Sequence, residues 1–149
     1  PDRTMNIGIP REIKAQENRI GMVPGTAADL VKRGHRVLVQ SGAGEGASYS
    51  DEQYLAAGAE ILPDAEAVFA EAELIVKVKE PQASEVALLR PDHILFTYLH
   101  LAANRPLTES LLDSGCTAIA YETIEVQRRL PLLEPLIAAA MGSPAEGTG

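Results

Sequence analysis

Leu74-Ile-Val-Lys-Val-Lys-Glu-Pro81 is the stretch on which the reading of the fold turns. Its apolar run, interrupted only by Lys77, is too short for an amphipathic helix, and Glu80-Pro81 ends it sharply because proline has no ladder N–H to give. A central strand over Leu74 to Val78 is expected. Ile94 to Tyr98 has the same character and predicts a second. Outward from these two, short runs rich in β-formers predict further strands at Asn6 to Ile9, Arg36 to Gln40, Glu60 to Leu62 and Thr117 to Tyr121.

Helical stretches separate them. Pro24-Gly-Thr26 opens one that runs to Arg33 and stops at Gly34. Ser50-Asp-Glu-Gln53 has capping-box spacing and predicts a helix to Ala57, closed by Gly58. Ala65 to Ala72, Ser84 to Leu89 and Leu107 to Ser114 supply three more. Strand and helix in alternation predict an α/β fold: an open, doubly wound, mainly parallel sheet, flavodoxin-like or Rossmann-like, with its ligands outside the carboxyl ends of the strands.

A chain of 149 residues, 46% hydrophobic, has room for one well-buried core. Its formal net charge of −8 is spread along the sequence, which argues against nucleic acid as a partner. The apolar runs are too short for a bilayer span, so no membrane partner is expected. One cysteine, Cys116, rules out an internal disulfide, and a reducing, cytoplasmic setting follows. Met5 is expected as the natural start, with residues 1–4 as extra sequence, 5–141 as the domain and 142–149 as a flexible tail.

Gly42-Ala-Gly-Glu-Gly-Ala47 formally satisfies a relaxed dinucleotide fingerprint. The mechanism needs a helix N-terminus directly behind the glycines, and here the helix start is Ser50, with Glu45 inside the loop to repel a phosphate. A tight strand-to-helix connection is the expected role, and no cofactor-binding residue is assigned.

Lys79 falls at the carboxyl end of its strand, on the same face as Lys77, where an ammonium can grip a carboxylate or polarise a carbonyl oxygen. His100 takes the equivalent place after Ile94 to Leu99, and imidazole is the side chain suited to moving a proton near neutrality. His35 and His93 fall in turns and are expected at the surface. Arg19, past the first strand, carries a planar fork that holds a carboxylate by two parallel bonds. Surface solvation is the alternative for each; their joint placement at one sheet edge favours a site.

Ile7-Gly-Ile-Pro-Arg-Glu12 with Glu17-Asn-Arg19, then Arg33-Gly-His35, Gly42-Ala-Gly-Glu-Gly46, Val76-Lys-Val-Lys-Glu-Pro81, Phe96-Thr-Tyr-Leu-His-Leu-Ala-Ala103, Ala118-Ile-Ala-Tyr-Glu-Thr123 and Leu130-Pro-Leu-Leu133 together resemble the N-terminal part of alanine dehydrogenases. The transhydrogenase α subunit is similar in its opening segment, but Leu99 to Ala103 and Tyr121 to Thr123 favour the dehydrogenase. The resemblance implies conversion of L-alanine, NAD and water to pyruvate, ammonia and NADH. It assigns Arg19 and Lys79 to the substrate carboxylate and carbonyl, His100 to proton transfer, and Tyr98 and Glu122 to the pocket. It also implies a Rossmann cofactor domain that this chain would lack, leaving it inactive alone and apolar along the exposed cleft, hence a homo-oligomer. A non-catalytic module binding a small acid, or serving only in oligomerisation, is the alternative.

Overall fold

The computed structural model describes residues 4–99 and 105–120. Six strands form one sheet: β1 (Asn6–Ile9), β2 (Arg36–Gln40), β3 (Glu60–Leu62), β4 (Leu74–Val76), β5 (Ile94–Thr97) and β6 (Thr117–Ala120). Their order is β3-β2-β1-β4-β5-β6 and every pairing is parallel. Of the two common doubly wound orders this is the Rossmann one, in which the chain starts mid-sheet, winds to one edge, returns, and winds to the other.

The pleat sends alternate side chains into two cores. Ile7, Ile9, Val37, Val39, Leu74, Val76 and Phe96 face one layer, where they meet Ala27 and Leu30 of α1 (Pro24–Lys32) and Tyr54 of α2 (Asp51–Ala56). Leu38, Ile75 and Leu95 face the other, against Phe69 of α3 (Ala65–Glu71) and Leu107 and Leu111 of α5 (Arg105–Ser114). A short helix, α4 (Ala83–Val86), links β4 to β5. Covered on both faces, the central strands have no polar side to show, which is why their sequences are almost continuously apolar.

Local signals set the element ends. Gly34 and Gly58 follow their helices with φ of 95° and 97°, the left-handed region that glycine enters freely. Ser50 caps α2 as its spacing predicts: its hydroxyl accepts the Gln53 N–H and the Gln53 side chain accepts the Ser50 N–H. Strand β4 stops at Val76, two residues short of the expected end, and β5 stops at Thr97.

His93, expected at the surface, is buried. Its Nδ1 accepts the Arg90 N–H at 2.9 Å, so Nε2 carries the proton and donates to the Phe69 carbonyl at 2.7 Å. His35 is half-buried and its Nδ1 accepts the Met5 N–H. No helix among the described residues is long and apolar enough to cross a membrane. Tyr121, expected to end the last strand, and the expected tail 142–149 lie outside the described residues.

Candidate functional site

Strand order reverses between β1 and β4, which pair with each other while their onward connections leave in opposite directions. The crevice outside the carboxyl ends of such a pair is where doubly wound sheets bind ligands. The loop from Pro10 to Val23 leaves β1 there, Lys77 to Pro81 leave β4, and Tyr98 leaves β5. The site is therefore built by topology, from segments remote in sequence.

The β1 loop lies close on the sheet. A Cβ at Gly21 would sit 2.6 Å from the Val76 carbonyl oxygen, so only glycine lets the loop cross there. Met22 is held by the buried Tyr54 hydroxyl, which donates to its carbonyl at 2.7 Å. These contacts fix the frame in which Glu12, Glu17 and Arg19 stand.

Arg19 is two-thirds exposed. Its Nε and Nη2 donate to the two Glu17 oxygens at 3.0 and 2.9 Å, and its own N–H also reaches Glu17. The hydrogen bond from Arg19 holds the Glu17 carboxyl below its ordinary value, and Lys79 adds a smaller effect of the same sign. In turn the Glu17 bond raises the guanidinium, with Glu12 and Tyr98 adding to the rise. Lys79 and Tyr98 therefore stand within electrostatic reach of the Arg19–Glu17 pair. No described residue bonds Nη1 of Arg19 or forms an ion pair with the Lys79 ammonium. Arg19 and Tyr98 are exposed and Lys79 is half-buried.

Below them lies a buried cluster. Lys77 is 1% exposed, and its Nζ is 3.0 Å from Glu12 Oε1 and 3.0 Å from Glu85 Oε2. For Lys77 the solvated alternative is thereby excluded. Glu12 also accepts the N–H groups of Val78 (2.9 Å) and Lys79 (3.1 Å). This explains why β4 ends early: a side-chain carboxylate, not a neighbouring strand, takes those amides. Burial raises the Glu85 carboxyl despite the charge of Lys77, and Glu12, sharing that ammonium, adds to the rise.

The glycine loop packs as a connection. The Gly42 N–H and the Ser41 hydroxyl both donate to Asp51, at 2.9 Å each, and a Cβ at Gly46 would lie 2.9 Å from the Asn18 carbonyl oxygen in the site loop.

Of the residues expected in the site, Arg19, Lys79 and Tyr98 come together at one rim; His100 and Glu122 lie outside the described residues. Sequence reasoning gave no role to Glu12, Glu17 and Glu85. Only Glu17, two residues from Arg19, carried a local signal for its pairing.

The family model for the alanine dehydrogenase/PNT N-terminal domain matches residues 8–140. The chain belongs to that family. Among relatives bearing the alanine dehydrogenase name, that of Mycolicibacterium smegmatis is 52% identical over 133 residues, covering 89% of this chain and 36% of the relative. That of Bacillus subtilis is 51% identical over 132 residues, covering 89% and 35%. The chain thus spans about a third of the length of these dehydrogenases. A solved L-alanine dehydrogenase structure superposes with a TM-score of 0.79 at 50% identity over 89% of this chain and 37% of that one. A transhydrogenase from Sinorhizobium meliloti superposes at 0.74 with 26% identity, over 78% and 35%. The likeness in sequence is nearly twice as great on the dehydrogenase side of the family.

Proposed function

We propose that this chain is the substrate-binding domain of an alanine dehydrogenase, converting L-alanine, NAD and water to pyruvate, ammonia and NADH. The observation that carries the reading is the gathering of Arg19 and Lys79, with Tyr98, at the switch point between β1 and β4. A small α-keto acid needs a cationic fork for its carboxylate and a point charge for its carbonyl oxygen, where negative charge develops. Arg19 offers the first and Lys79 the second. His100 is the group that the resemblance assigns to moving the proton on the water and amine steps, imidazole being the side chain suited to that task.

The Gly42–Ala47 loop does not fit the NAD pyrophosphate. The Gly42 amide that would meet a phosphate is bonded to Asp51, and α2 opens with Asp51 and Glu52, a negative first turn. The 149-residue chain by itself is proposed to bind the acid without turnover, and to self-associate, which light scattering over a concentration series tests.

Calorimetric titration with pyruvate tests the site. Arg19→Ala and Lys79→Ala are each expected to weaken binding by at least about tenfold, the worth of a charged hydrogen bond. Absence of binding by the unaltered chain, or binding by either variant as tight as that of the unaltered chain, overturns the reading.

A further inference from the structure

Lys79 is anchored through its backbone on both sides. Its N–H donates to Glu12 Oε1 at 3.1 Å, and its carbonyl accepts the hydroxyl of buried Thr97 at 2.8 Å. The preceding amide, Val78, donates to the other Glu12 oxygen at 2.9 Å. A segment that has just left its strand ordinarily gives its amides to water. Here one carboxylate from the opposite side of the switch point takes two in succession. That carboxylate is itself buried, with Lys77 as its counter-charge, and Lys77 also forms an ion pair with buried Glu85.

We propose that Glu12 is a positioning residue: it fixes the main chain from which Lys79 projects, so that the ammonium meets a substrate carbonyl at a set place, with Lys77 and Glu85 holding Glu12 in register. The inference rests on the reading of Lys79 as the group that meets that carbonyl. A carboxylate suits the task because it only accepts, and all three groups it faces are donors. A glutamine has the same shape but replaces one acceptor by a donor, which must then oppose either an amide or the Lys77 ammonium.

The test compares pyruvate with propionate, which has a carboxylate and no carbonyl, by NMR titration of the 149-residue chain. Loss of fold weakens both ligands alike; misplacing Lys79 weakens pyruvate selectively. The unaltered chain is expected to prefer pyruvate, and Lys79→Ala to abolish the preference. Glu12→Gln is expected to reduce the pyruvate-to-propionate ratio about tenfold, with Glu12→Asp, which keeps both acceptors, restoring part of it. A folded Glu12→Gln chain with the unaltered ratio overturns the positioning role while leaving the site intact. Should Lys79→Ala leave the ratio unchanged, the reading of the site fails first and the inference with it. If Glu12→Gln does not fold, Glu12→Asp carries the ratio measurement. Hydrogen exchange on the unaltered chain is a second readout that needs no variant: the Val78 and Lys79 amides are expected to be protected, and exchange at the rate of free loop amides overturns the proposal.

Discussion

An ammonium enclosed by protein is tolerated only with its counter-charge beside it, and Lys77 has two, Glu12 and Glu85, each at 3.0 Å. Such a cluster adds little net stability against apolar residues of the same shape, yet breaking it is severe because the remaining charges stay buried. Lys77→Met is therefore expected to cost about 3–5 kcal/mol in urea unfolding, and Lys79→Met, half-buried at the crevice mouth, under about 1 kcal/mol. Equal losses for the two would refute the assignment of which lysine is structural. His93 makes the second prediction at this scale. Burial lowers its pKa from the ordinary 6.5, ahead of any neighbouring charge. Above 6.5 the ring is neutral folded or unfolded; as the pH falls below it, the unfolded chain binds a proton that the native ring refuses, so stability declines until the depressed value is passed. The unfolding free energy is expected to be lower at about pH 5.5 than at about pH 7.5, and His93→Gln to shrink that difference. An unchanged difference in the variant sinks the idea. Neither burial was legible in the sequence, since the Lys77 partner Glu12 is 65 positions away and the His93 partner Phe69 is 24 away.

At the scale of elements, what was legible was what is decided locally. Ser50 and Gln53 cap one another within a single turn, and so their spacing alone placed the start of α2. Ser50→Ala is expected to remove about 1 kcal/mol, measured by chemical denaturation, and an unaltered midpoint would mean the cap is idle. Strand β4 ends short of Val78 for the opposite reason. Val78 is a good strand former, but a strand lasts only while its amides face a ladder. The Val78 and Lys79 amides face Glu12, from a loop that local propensity does not see. Helix α4 likewise ends at Val86, short of the expected Leu89.

On the scale of the molecule, alternation of strand and helix announced a parallel α/β sheet, but the strand order that creates the switch point depends on which strands pair, a tertiary choice. Arg19 and Lys79 were visible at the carboxyl ends of strands, and Tyr98 as the expected last residue of one; that those strands are β1, its neighbour β4, and β5 beyond β4 was not. Gly21 tests whether the fold holds the site together. It lies where the β1 loop crosses the end of β4, and an added methyl would meet the Val76 carbonyl oxygen at 2.6 Å, an atom of the sheet backbone that cannot rotate away. The loop must lift, and Glu12 and Arg19, carried on it, move from Lys79. Gly21→Ala is expected to cost about 1–3 kcal/mol and to weaken pyruvate binding along with it. Gly25→Ala is the control: it adds the same methyl in the first turn of α1, where nothing lies within 4 Å, and is expected to keep binding and gain up to about 1 kcal/mol from helix propensity. If both variants bind pyruvate as the unaltered chain does, the crevice does not depend on the loop's seat against β4, and the geometry argued for Arg19 loses its support.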